Sequence, residues 1–369
     1  MIGGFALASA KPLTQLRRLI DTQVQLKEFL PELRKSSWVS LDTEADSLHS
    51  YPEKLCLLQI SLPGTDVLID PLQQLDLKPL FKILAGRELH IHGSDNDLRL
   101  MYAAQQFVPS RIFDTMWAAR LLGFAAFGLN DLLSKLLGIS LDKGSQKANW
   151  TRRPLTDKMA IYALNDSRHL RALANILRDD LNAKERLSWH EQICNKLIKD
   201  HAVPRENDPN QEWRIKGSSK LSRREQAILR AIWHWREGEA IDANKPPYFI
   251  VRHEDLVRLA GAVINNKTKT AWPAKMSNRR FKSLRDVVGQ ALDLPPEEWP
   301  ETPRTVRRRI TQSEKLFYES LKELRDKQAK ELNIDPTLIA SRSTLVRLSL
   351  EDGEERKQIL PWQRELLNL

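Results

Sequence analysis

Three carboxylates fall within five positions of the segment WVSLDTEADS: Asp42, Glu44 and Asp46. The residues before them read as a strand, on which side chains two apart project from one face. Asp42 and Glu44 would then lie side by side, about 6–7 Å apart along the chain. Like charges at that spacing repel unless something cationic lies between them. The segment alone leaves two readings open: a solvated strand end with scattered acids, or a pair of acids with something cationic between them.

Two later segments offer more acids. HIHGSDND ends an apolar run at His92-Gly93 and then starts a helix, so Asp95 and Asp97 fall in its first turn beside exposed amide groups. Capping accounts for Asp95, and Asp97 is less obliged to cap. In IYALNDSRHL, Tyr162 and Asp166 are four apart on a helix and share one face. That pair reads equally as an amphipathic edge.

These side chains need elements to bring them together. SWVSLDTE, KLCLLQISL, DVLID and ELHIHG are short apolar or alternating runs separated by turn residues such as Pro63-Gly64. The first three are close enough for antiparallel hairpins. Helices are expected over LTQLRRLIDTQVQLKEFLPELRKS, with Pro31 as an interruption, over SDNDLRLMYAAQQF capped by Ser94, over IFDTMWAARLLG, and over LNDLLSKLLG capped by Asn130. Strands followed by helices predict an α/β or α+β domain with a mixed sheet. A long helical stretch over residues 155–199 follows, then DHAVPRENDPNQEW, whose proline, asparagine and charge read as a linker. Everything beyond it reads as helical.

With 369 residues the chain is too long for one ordinary core. No apolar run approaches the length needed to span a bilayer. MIGGFALASA lacks the basic start of a signal sequence and reads as a loose tail. Cys56 and Cys194 are distant and belong to no Cys/His cluster, which argues against disulfide or zinc frameworks and for the cytoplasm. Residues 1–210 carry 27 basic and 25 acidic side chains, whereas residues 211–369 carry 31 and 23. The positive excess therefore sits in the helical part, as for a protein that meets a polyanion such as nucleic acid. That part also repeats: Arg236 and Arg258 in WREGEA and LVRLA have the same spacing as Arg325 and Arg347 in LRDKQA and LVRLS. Two copies of one helical unit are the economical reading.

Taken together, Asp-x-Glu on a strand, an Asp in the helix after a later strand, and Tyr-x-x-x-Asp on a late helix resemble the tyrosine-bearing branch of the DEDD 3′-to-5′ exonucleases, and within it ribonuclease D. The segments DTE, LCLLQIS, VLIDPL, HGSDNDLRLM, FDTMWAARLLG, DKGSQKANWTRRPLT and YALNDSRHL carry the resemblance in the family's order, over roughly residues 20–200. The helical repeats resemble HRDC modules. The resemblance implies a ribonuclease H-like α/β exonuclease domain with a mixed sheet, followed by two all-α HRDC bundles. The implied layout is a tail over 1–20, the exonuclease over 21–200, a linker over 201–212, and HRDC units over 213–295 and 305–369.

The same resemblance implies two divalent ions, Mg²⁺ or Mn²⁺, held by Asp42, Glu44, Asp97 and Asp166, with Tyr162 holding the attacking water. It implies substrate contacts at Thr43, His92, Trp150, Arg152 and Arg153, with packing equally open for Trp150 and a buried, hydrogen-bonded role equally open for His92. Gln59 is expected to be a structural neighbour of the acidic strand. RRFKSLR and RTVRRRI are natural phosphate contacts. The implied partner is RNA with a free 3′ end, precursor transfer RNA among others, met by a monomer that does not enter membranes. Two departures stand out. Ala45 replaces an aromatic that often follows Asp-Thr-Glu, which puts the grip on the terminal base in doubt, and Asn149 stands where an acid is frequent. The rival readings are a DNA exonuclease and a nucleic-acid binding protein without catalysis. A helicase is excluded because the chain has no Gly-Lys pair for a phosphate loop.

Overall fold

In the computed structural model, which describes residues 18–369 apart from 143, 205–207, 209–210, 265–270, 274, 302–309 and 351–357, the first segment is not helical throughout. Arg18–Ile20 forms strand β1, and the helix begins only where Thr22 and Gln25 close a capping box at the head of α1 (Gln23–Lys35). Pro31 is accommodated inside α1.

β2 (Val39–Ala45), β3 (Leu55–Leu62) and β4 (Thr65–Ile69) form the expected antiparallel meander. Every residue of β3 is buried, Gln59 and Ser61 included. The β3–β4 turn needs Gly64 at a φ of +77°, a conformation that favours glycine. Helix α2 (Lys78–Ala85) then crosses to β5 (Glu88–Ile91), which runs parallel to β2. Next come α3 (Asp95–Gln105) and β6 (Arg111–Asp114), parallel to β5. The six strands lie in the order β1-β4-β3-β2-β5-β6, a mixed sheet with β2 near its middle.

Two helix expectations change. Of IFDTMWAARLLG, the first residues pair as edge strand β6 because Ile112 and Phe113 are buried in the sheet, and α4 (Thr115–Leu121) starts on the carboxylate cap of Asp114. α5 (Leu129–Leu137) has Gly128 rather than Asn130 at its N-cap, and the Asn130 amide oxygen instead accepts from the Leu141 N–H at 2.7 Å. The long stretch after residue 155 breaks into α6 (Asp157–Arg168), α7 (Leu170–Ala183) and α8 (Leu187–His201).

The described residues form two compact units. One contains 46–54 and 205–308, with α9 (Arg223–Asp242), α10 (Pro247–Ile250), α11 (His253–Val263) and α12 (Asn278–Leu292) around a core of Trp213, Ile228, Ile232, Leu256, Leu259 and Leu284. Within it, the Tyr51 hydroxyl donates to Glu237 at 2.6 Å. The other unit contains the sheet, α1–α8 and the C-terminal helices α13 (Gln312–Leu332), α14 (Pro336–Ile339), α15 (Arg342–Ser349) and α16 (Pro361–Leu366). Leu321, Ile339, Leu345 and Trp362 share one buried cluster with the sheet residues. Trp362 stacks on Trp189 at 4.8 Å, and Arg186 donates to the carbonyls of Leu121 and Leu332 at 2.6 and 2.8 Å.

The repeat seen in the sequence has a structural counterpart. Arg236 pairs with Glu237 and reaches the Val251 carbonyl, and Arg325 pairs with Asp326 and reaches the Ala340 carbonyl, each spanning 15 positions. In both copies that carbonyl ends a one-turn helix that begins with proline, between a long helix and a shorter one. Among the described residues no helix is long and apolar enough to cross a membrane.

Candidate active site

β2 delivers the first pair of acids. Asp42 lies opposite Gln59 on β3 and Glu44 opposite Leu57, so both acids project from one face of the sheet, and the ladder shifts register just after Glu44. Helix α6 lies over that face. Met159, Ala160, Ala163 and Leu164 bury against Cys56, Leu57, Leu68 and Trp150, and the Ser167 hydroxyl meets the Ser61 hydroxyl at 2.9 Å. This packing sets Tyr162 and Asp166 above the strand acids. Carboxylate oxygens of Asp42, Glu44 and Asp166 lie within 4.8 Å of one another.

Asp97 arrives from the first turn of α3 and is 5 % exposed. The Thr43 hydroxyl donates to its Oδ1 at 2.5 Å, tying helix to strand. The turn before α3 is held by Asp114, a fully buried carboxylate that accepts from the N–H groups of Gly93 and Ser94 at 3.1 and 2.8 Å and also caps α4. Gly93 takes the left-handed conformation there, with φ of +72°. Ser94 makes no side-chain cap, contrary to the sequence expectation, because Asp114 already engages this turn. Asp114 is a positioning residue that motif reading passed over. Its one sequence signal is an Asp directly before a helix start.

The acids crowd one another in a half-buried cluster. Burial first, then Asp97, Asp166 and Glu44, hold the Asp42 carboxyl well above its ordinary range. Burial, Asp166 and Asp97 push Glu44 up to about 9. Burial raises Asp97 to about 7 against the opposing Thr43 hydrogen bond, and Asp166 to about 7 against that of Tyr162. The Tyr162 phenol, half-buried and facing Asp166, Glu44 and Asp42, holds its proton more tightly than a free tyrosine. All donors at the centre are oxygens, the set preferred by hard divalent cations, and such a charge would relieve the repulsion. The carboxylate cluster therefore fits the divalent-metal chemistry of exonucleases.

Not every expected residue joins the site. Asp46, the third acid of the opening segment, is buried and closes its own loop, its Oδ1 accepting from the Lys54 N–H at 2.7 Å. Trp150 is 2 % exposed and packed against Tyr162 at 6.1 Å, so it has no face on which to stack a base. Arg153 is not free for phosphate either. It forms an ion pair with Asp70 at 2.5 Å and donates to the carbonyls of Cys56 and Trp150, as a strut between the loop and the sheet. Arg152 remains exposed. His92 bonds the Thr115 hydroxyl at 2.9 Å, and burial lowers its pKa. Asn149, standing where an acid is frequent, accepts from the Thr151 N–H and hydroxyl at 3.1 and 2.6 Å and ties the loop locally. Gln59 is fully buried beside Asp42, and its amide has no hydrogen-bond partner among the described residues.

Four carboxylates converge here from one central strand and two helices, an all-oxygen set suited to the divalent-metal chemistry of phosphodiester cleavage. A 3'-5' exonuclease family matches residues 17–182. Over 360 residues the chain is 30% identical to ribonuclease D of Desulfotalea psychrophila, covering 95% of this chain and 96% of the relative. It is also 30% identical to ribonuclease D of Granulibacter bethesdensis, over 94% and 90%. The chain belongs to the ribonuclease D family and is a 3′-to-5′ exoribonuclease. The fold is shared with a Bifidobacterium adolescentis protein at a TM-score of 0.82 and 22% identity, over 97% of each chain. It is also shared with Escherichia coli RNase D, an exoribonuclease involved in structured RNA processing, at 0.75 and 23%, over 95% of this chain and 98% of that one.

Proposed function

We infer that this enzyme removes nucleoside 5′-monophosphates one at a time from RNAs with a free 3′ end, precursor transfer RNA and other small structured RNAs among them. The observation that carries the reading is the meeting of Asp42, Glu44 and Asp166 within 4.8 Å, with Asp97 adding its charge to theirs. Asp42, Glu44 and Asp166 would hold one divalent ion, and Asp42 with Asp97 a second, Mg²⁺ or Mn²⁺. When bound, such a pair supplies a hydroxide nucleophile and neutralises the leaving oxygen.

The chain's own groups do the rest. The phenol of Tyr162 keeps its proton and is held by Asp166, so it orients the attacking water rather than deprotonating it. The Thr43 hydroxyl and backbone both serve the Asp97 carboxyl, fixing the strand that presents Glu44, and contact with the terminal ribose is proposed for the backbone around Thr43 and the Glu44 carboxylate. His92 is proposed to face the substrate, and the exposed Arg152 to meet phosphate.

Residues 213–295 and 305–369 are proposed as HRDC modules, on the matching arginine contacts of their two copies. RNA would be held by the positive excess of the helical part. In RRFKSLR, Arg279 and Arg280 are both drawn onto the Glu239 carboxylate, which leaves Lys282 and Arg285 as the freer cations there. RTVRRRI lies, except for Ile310, outside the described residues. The enzyme is proposed to act as a monomer in the cytoplasm.

The test is cleavage of 3′-blocked and free RNA and DNA oligomers, with and without chelator. Activity should require a free 3′ end and a divalent ion, favour RNA, and be lost in Asp42→Asn with folding intact. An Asp42→Asn enzyme that cuts as well as the parent refutes the site.

A further inference from the structure

Helix α6 uses one face for packing and the next for the acids, which leaves a third. Met159, Ala160, Ala163 and Leu164 are buried, and Tyr162 and Asp166 look onto the carboxylates. Lys158, Ile161 and Asn165 follow one another at helical spacing along the remaining face. Together with Asp142, Ser145 and Tyr162 they line a cavity of about 300 Å³. Tyr162 is thus a wall common to this cavity and the acid cluster.

The cavity has the size and chemistry for one nucleoside. Its volume lies at the low end of small-molecule sites. Ile161 offers an apolar plate that is 42% exposed. The Asn165 amide presents a donor and an acceptor, and among the described residues its oxygen is engaged by Arg168 alone, at 3.4 Å. The Lys158 ammonium lies 3.6 Å from Asp142, with both side chains largely exposed. A pair that open to water is weak, so a phosphate can replace the carboxylate.

Resting on the exonuclease reading above, we propose that this cavity seats the penultimate nucleotide of the RNA strand, its base against Ile161 and Asn165 and its phosphate at Lys158. The terminal ribose is read from the β2 side, at Thr43 and Glu44, and the Tyr162 hydroxyl marks the scissile phosphate. The strand must then continue past the other side of the tyrosine, where the cavity begins. Lys158 stands about one helical turn from Tyr162, about 6 Å along the axis, which is the scale of a single nucleotide step.

Two substrates separate this subsite from the centre. An RNA oligomer engages both. The 4-nitrophenyl ester of thymidine 5′-phosphate carries a scissile phosphate and one nucleoside but no penultimate nucleotide. Asn165→Leu and Lys158→Ala should each lower kcat/KM for RNA about tenfold, mainly through KM, while turnover of the ester stays near that of the parent. Lys158→Ala should also flatten the salt dependence of RNA binding by about 0.7 in the log–log slope. Unaltered RNA kinetics in both variants, or equal losses on RNA and ester, overturn the subsite. Asp42→Asn run alongside distinguishes the failures. If it is silent while the α6 variants match the parent, only the subsite falls, and if it is active, the nuclease reading falls.

Discussion

Replacing Glu44 by glutamine should stabilise the metal-free protein while disabling it. Burial and the neighbouring Asp166 and Asp97 lift the Glu44 carboxyl from an ordinary 4.5 to about 9. A carboxyl whose pKa is higher in the folded chain favours folding fully only below its unfolded value, and that advantage drains away as pH rises towards the folded one. Each unit of pH between the two costs about 1.4 kcal/mol. At about pH 8 the full figure is near 5 kcal/mol, and water at the open side of the site, with an effective dielectric of about 20, reduces it to about 2–3 kcal/mol.

Glutamine keeps the shape and removes the charge. In urea denaturation with chelator present, Glu44→Gln should therefore lie about 2–3 kcal/mol above the parent at about pH 8 and match it near pH 4.5. Added Mg²⁺ should reverse the order, because only the parent keeps the complete set of acids that bind the ion in the native state. Parallel stability curves for the two proteins across this pH range would refute the argument that the acids repel one another in the folded chain.

Tyr162→Phe should lower kcat about a hundredfold or more with KM little changed, since the ring still packs near Trp150 and only the water-holding hydroxyl is lost; single-turnover assays check this. Arg153→Ala should cost about 3–5 kcal/mol, because it strands the buried Asp70 charge, while RNA affinity stays unchanged in filter binding. Trp362→Ala should destabilise the sheet-bearing unit by about 3–5 kcal/mol in thermal melts, through loss of the Trp189 stack. Asp114→Asn should lower both stability, by about 1–3 kcal/mol, and turnover, since an amide cannot accept from all the N–H groups that hold the turn before Asp97.

Local chemistry made much of this protein legible in its sequence. The strand runs, the Asp-x-Glu spacing and the Tyr-x-x-x-Asp period each follow from side-chain direction on a strand or helix, which adjacent residues settle among themselves. The arginine repeat was legible for the same reason. Asp114, the burial of Trp150 and the commitment of Arg153 to Asp70 were not, because each depends on partners from another part of the chain. A tryptophan or arginine in a polar loop has the same local signature whether it faces substrate or the core. The edge strands β1 and β6 were missed likewise, since three or four residues hold a strand only when a neighbouring strand supplies the hydrogen bonds. By itself the sequence determined which side chains could share a face. Only the tertiary structure decided which faces meet, because burial and charge repulsion arise between segments far apart in the chain.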